Sequence, residues 1–245
     1  MKTSKKLLKM LVLSMLVALG VVISPILRFE GMCPMAHLIN IVCSVLLGPW
    51  YSLLCAALIG IIRMAFLAIP PLALTGAIFG AFLSGVFYKM SKGKLLFAVI
   101  GEIIGTGIIG AIVSYPVMTF IMGKEGLTWL FYVPSFVCGT LIGGSIAYVF
   151  LRKLSNSGAL AHFQGLLGSK SYADTPTPLS TAASIAAFGV ICYLVTEILT
   201  GIFKMTSPFW SHLSFLLLGI FIISAIIYYI ITKKKVRENN DCKRA

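Results

Sequence analysis

Few residues in the apolar part of this chain can do chemistry, and their spacing is informative. His37 and Asn40 lie three apart in "GMCPMAHLINIVCSVLLGPWYS", so a helix places both on one face. Glu102 and Thr106 lie four apart in "GEIIGTGIIG" and share a face for the same reason. Arg63 stands alone in "LIGIIRMAFL", and Glu197 stands alone in a later apolar run. Ionisable groups are costly at such positions and mark a binding site or a buried pair by default. Two readings therefore stay open for each. Arg63 faces a ligand, where it would favour an anionic group, or extends its stem toward lipid headgroups. Glu102 meets a ligand or makes a structural hydrogen bond or ion pair. His37 contacts a ligand or is a satisfied structural residue. Glu197 is read as pairing within its own hairpin.

The segment "LTWLFYVPSF" groups Trp129, Phe131, Tyr132 and Ser135. This is either an interfacial aromatic belt or an aromatic wall for a flat heterocycle, with Ser135 adding a hydrogen bond. No H-E-x-x-H, G-x-S-x-G or Walker A sequence is present, so no catalytic residue is assigned and the chain is read as not an enzyme. For want of an ATP site, it cannot drive transport with ATP on its own. Six cysteines without C-x-x-C spacing indicate neither zinc nor a disulfide framework. One histidine beside scattered cysteines does not make a metal site, and no cofactor is implied. Cys33 has nothing nearby to activate it and is discounted.

The elements that position these residues are membrane helices. Of 245 residues, 59% are hydrophobic and 11% charged, against about 25% charged in a soluble domain. Apolar runs span Leu7–Leu27, His37–Leu47, Trp50–Leu67, Pro71–Tyr88, Leu95–Ile121, Leu127–Leu151, Leu179–Phe203 and Phe209–Thr232. The first is read as a retained helix rather than a signal peptide, since it is long and no A-x-A site follows. The second is short, and "GPW" after it breaks the helix and allows a tight reversal. Pro116, in "SYPVM", is expected to bend or end the fifth. The net charge of +13 is clustered at the ends of these runs, which argues for orientation signals and against nucleic-acid binding.

If the N-terminus is cytoplasmic and every run crosses, Lys2 to Lys9, Lys89 to Lys94, Arg152 to Lys170 and Lys233 to Arg244 all fall inside. Only Arg28, Lys124 and Lys204 fall outside, which is the positive-inside pattern. Both termini are then cytoplasmic. Residues 155–178 form a cytoplasmic linker, read as an ordinary solvated segment, between a six-helix unit over 5–154 and a two-helix hairpin with a basic tail over 179–245. "LAIPPLAL" and "MGKEGLTW" are outer connections. Small residues recur at four-residue spacing: Ser14 and Ala18; Gly76, Gly80 and Ser84; Gly101 and Gly105; Gly139 and Gly143. Such faces let helix backbones approach closely. Those on helices four to six read as internal packing, whereas the first pair suits internal packing or a partner protein equally.

A six-helix, basic-ended membrane unit of this kind resembles the S components of energy-coupling factor (ECF) transporters. Four stretches make the likeness specific: "MLVALGVVISP", "GMCPMAHLINIVCSVLLGPWYSLLCA", "IPPLALTGAIFGAFLSG" and "GEIIGTGIIGAIVSYPVM" with the following "KEGLTWLFYVPSF". Together they are similar to the ThiW family, over roughly Lys5–Leu154. The resemblance implies capture of the thiazole precursor of thiamin at the outer face of the cell membrane. It also implies partnership with an EcfT-type transmembrane protein and two cytoplasmic ATPases, docked through a small-residue face on helix one. Ser14 and Ala18 match that face, with serine where alanine is usual. Family pockets lie among the outer ends of helices four to six. This places Thr75, Tyr115, Trp129, Tyr132 and Ser135 near the ligand, with His37 and Asn40 from the roof.

The hairpin after Leu154 departs from the family pattern of six helices. The ligand could be the thiazole alcohol, its phosphate, a carboxylated thiazole or thiamin. The competing reading is an autonomous ion-coupled secondary transporter of a small heterocycle. Such carriers are often built on inverted repeats, and no repeat is visible in this sequence.

Overall fold

The computed structural model describes residues 2–26, 33–172, 177–202 and 208–242. Among the described residues every regular element is helical. Seven of the helices are long and apolar enough to cross a membrane, so the chain is an all-α polytopic membrane protein, as composition predicts. It divides into two compact units, Met1–Asp174 and Thr175–Ala245.

In the first unit, α1 (Lys2–Ile26), α2 (Pro34–Leu47), α3 (Pro49–Leu67) and α4 (Leu72–Met90) are followed by one long helical rod over Leu95–Ile121. The rod is α5 (Leu95–Glu102), a π-helical stretch Ile103–Gly110, α6 (Ala111–Pro116) and a second π-helical stretch Val117–Ile121. Two further helices close the unit, α7 (Val133–Asn156) and α8 (Ala159–Leu167).

The short apolar helix α2 is the core. It is buried along nearly its whole length and packs on α1, α3, α4, α5, α7 and α8. A helix that is apolar all round has to sit inside a bundle. Pro34 in its first turn fixes where it starts, one turn earlier than the apolar run suggests. Gly48 ends it at φ 92°, and Pro49 opens α3 at once. The "GPW" reversal is thus found, with glycine where the backbone enters the left-handed region. Hydroxyls fasten α2 to its neighbours: Ser44 to Ser84 at 2.7 Å, and Ser52 Oγ donating to the Asn40 carbonyl at 2.9 Å.

Helix α4 and the rod pack backbone to backbone. A Cβ on Gly105 would lie 2.5 Å from Gly80 Cα, and one on Gly101 would lie 2.5 Å from the Leu83 carbonyl oxygen. The small-residue faces on these two elements are therefore internal, as expected.

Two sequence expectations need correction, and a third is met in part: at Pro116 the α-helical winding of α6 ends. The rod continues through it into a π-helical turn, whose wider winding gives the pyrrolidine ring and its missing N–H room. Helix α7 starts at Val133, not Leu127. Pro134 fixes the first turn, and residues 127–132 form successive turns closed by Phe131 N–H to Thr128 O and Val133 N–H to Leu130 O.

The linker is not merely solvated. It contains α8, whose Leu160, Gln164 and Leu167 are buried. Gln164 Nε2 donates to the Val45 carbonyl at 3.0 Å and to Tyr88 Oη at 3.1 Å. Ser169 Oγ donates to the Leu46 carbonyl at 2.7 Å. The linker therefore clasps the C-terminal end of α2.

The second unit is a hairpin of α9 (Pro178–Ile202) and α10 (Pro208–Cys242). Phe188 meets Phe221 and Tyr193 meets Phe215 along their contact, with ring centroids 5.6 and 5.4 Å apart. Ser214 Oγ donates to Glu197 Oε1, so Glu197 pairs locally as expected.

Candidate substrate cavity

Helices α2, α4 and α7 all begin at one end of the first unit, and a cavity of about 100 Å³ opens between them. The first turns of these helices supply Cys33, Ala36 and His37; Leu72 and Ala73; and Ser135 and Phe136. Arg63, one turn before the end of α3, forms another side. Beyond it Ala68 takes a left-handed conformation at φ 50° and caps α3 on the Arg63 carbonyl. That turn folds Ile69 and Pro70 into the lining. The π-helical stretch contributes Thr106. π turns are uncommon and recur at functional sites.

Glu102 lies immediately behind this lining, fully buried. Its Oε1 meets His37 Nδ1 at 2.9 Å, Asn40 Nδ2 at 3.0 Å and Thr106 Oγ1 at 3.1 Å. The spacings legible in the sequence explain the convergence. His37 and Asn40 share one face of α2, Glu102 and Thr106 share one face of the rod, and the two faces meet. Asn40 Nδ2 and Thr106 Oγ1 donate to this oxygen, and His37 Nδ1 is the third group against it. Nε2 is then the ring nitrogen left to meet the cavity. Glu102 Oε2 and Arg63 Nε are buried without a hydrogen-bond partner. Gly80 makes the cluster possible, because a Cβ there would collide with Thr106 Oγ1 and come within 2.8 Å of Glu102 Oε2.

The other sequence candidates are placed as follows. Thr75 Oγ1 bonds Ser114 Oγ at 2.7 Å and ties α4 to α6, outside the lining. Tyr115 and Trp129 lie ring on ring at 4.5 Å, and Trp129 is exposed. Tyr132 is buried against Ala111 and Met118. None of these three rings lines the cavity.

The ring that does is Phe136, seated where Gly76 leaves space: a Cβ on Gly76 would be 2.6 Å from it. Sequence reasoning passed over Phe136, although Pro134 sets the α7 start that turns it inward and Gly139, in the same lining, lies four residues from Ser135. Ser14 and Ala18 are exposed on α1, over a groove of about 390 Å³ walled by Val17, Val21, Leu58 and Ile62. Residues 27–32, which include Arg28 of the expected outer loop, lie outside the described residues. Among the described residues no cluster of metal-ligating side chains occurs.

The family model described as thiamine-precursor transporter protein (ThiW) matches residues 10–157, more than half of the chain and all of the cavity lining. No curated protein and no solved structure matches the chain.

Proposed function

The chain belongs to the ThiW family of thiamine-precursor transporter proteins, and from that premise we propose that it is the substrate-capturing S component of an ECF-type importer for the thiazole precursor of thiamin. The family is one of multi-pass membrane transporters for a small molecule, not of enzymes. The finer reading rests chiefly on the cavity and the buried polar cluster behind it. A cavity of about 100 Å³ is small beside the roughly 300–1,000 Å³ of sites for drug-sized ligands. That size favours one five-membered ring with a short arm over a two-ring vitamin.

In this reading the ring lies against Phe136, and His37 Nε2 meets its nitrogen or hydroxyl. Ser135 and Thr106 offer further hydrogen bonds. Asn40 and Glu102 hold the imidazole in place, and Thr75, Tyr115, Trp129 and Tyr132 brace the wall. The cavity faces outward across the cell membrane, with both termini cytoplasmic by the basic-residue asymmetry. The six-helix part over 5–154 carries this function, 155–178 links it to the hairpin over 179–245, and the hairpin is assigned no role.

The partners are an EcfT-type transmembrane protein and two cytoplasmic ATPases, engaged through the exposed Ser14–Ala18 face. Reconstitution tests this. Uptake of labelled hydroxyethylthiazole should require the partners and ATP. Ala18→Trp should abolish uptake while leaving ligand affinity nearly unchanged, because a close backbone contact does not admit a large side chain. Uptake by the chain alone, driven by an ion gradient, would instead identify an autonomous secondary transporter.

A further inference from the structure

Arg63 is a buried cation, 4% exposed, in the wall of the cavity. Its only hydrogen bond among the described residues runs from Nη2 to Cys33 Sγ at 3.4 Å, a weak acceptor. Nε has no partner. No carboxylate among the described residues lies within ion-pair distance of it. Glu102, the buried carboxyl group of this region, pairs with His37 instead. A guanidinium does not shed its proton when buried, so the charge needs an anion.

A second observation has the same sign. Helices α2, α4 and α7 each begin at the cavity and supply first-turn residues to its lining, and a helix N-terminus carries partial positive charge. The opposing group is Glu102, whose carboxyl is already engaged by His37, Asn40 and Thr106.

We propose that Arg63 is an anion-binding residue of this cavity and that the captured ligand is a heterocycle bearing a phosphate or carboxylate arm. This rests on the cavity being the substrate site. The arm would meet the planar guanidinium fork, which suits two acceptor oxygens at once. The ring would lie toward His37 and Phe136.

The test titrates the purified full-length protein with three ligands: hydroxyethylthiazole, its phosphate monoester and a thiazole carboxylate. Calorimetry or tryptophan fluorescence gives each affinity. At least one anionic ligand should bind about tenfold or more tighter than the neutral alcohol, and which one distinguishes phosphate from carboxylate. Arg63→Gln should erase that preference, and Arg63→Lys should restore part of it.

An alcohol that binds as tightly as both anions in the parent protein overturns the proposal, whatever the variants do, and leaves thiazole capture standing. A preference present in detergent but lost in anionic-lipid nanodiscs overturns it too, because a headgroup then fills the site. A preference that survives Arg63→Gln moves the anion site elsewhere and also refutes it. Failure of all three ligands to bind removes the function proposed above together with this inference.

Discussion

The two ends of α2 hold buried polar groups in opposite states. At its C-terminal end Gln164 reaches both the Val45 carbonyl and the Tyr88 hydroxyl, and Ser169 takes the Leu46 carbonyl. At its N-terminal end Glu102 Oε2 and Arg63 Nε are buried without partners, beside a cavity. A buried polar group left unpaired costs about 1–3 kcal/mol, so a fold that completes the pairing at one end and not at the other reserves the second end for something. The satisfied end is structural. The unsatisfied end is where a polar ligand would complete the set.

The comparison breaks most clearly at Glu102. Glu102→Leu leaves His37, Asn40 and Thr106 without their shared acceptor. Removing one partner of such a buried set costs about 3–5 kcal/mol, and ligand affinity should fall by about a hundredfold or more. Equilibrium titration beside a thermal melt separates the two losses.

Smaller is Gln164→Leu, which removes two hydrogen bonds at the other end. It should lower stability by about 1–3 kcal/mol while ligand affinity stays within about twofold. A matching loss of affinity would show that the two ends are coupled through α2.

Smallest is Trp129→Ala. Its pairing with Tyr115 is worth about 0.5–1.5 kcal/mol beyond burial, and because Trp129 lies outside the lining affinity should shift by less than about threefold. A larger shift would move the aromatic wall from Phe136 to the Tyr115–Trp129 pair.

Much of this architecture is legible in the sequence because the bilayer dictates it. Apolar run lengths predict the long helices, and Gly48 with Pro49 predicts the reversal after α2. The spacings of His37 with Asn40 and of Glu102 with Thr106 define two polar faces. That these faces meet is not legible, since more than sixty residues separate them and no local rule pairs them. The ring in the lining is not legible for a local reason: Pro134 sets the start of α7 at Val133, which leaves Trp129 and Tyr132 in turns and places Phe136 in the lining. Helix α8 was missed because its composition suits a solvated linker, and only the carbonyls of Val45 and Leu46 give it something to hold.

His37 tests the central claim most directly, since it lines the cavity and also belongs to the buried cluster. The measurement is calorimetric titration of the parent protein and His37→Ala with hydroxyethylthiazole and its anionic derivatives. The account predicts saturable one-to-one binding by the parent. For the variant it predicts a loss of about two- to tenfold, the effect of one neutral hydrogen bond. A variant that binds as tightly as the parent would contradict it and place the ligand outside this cavity.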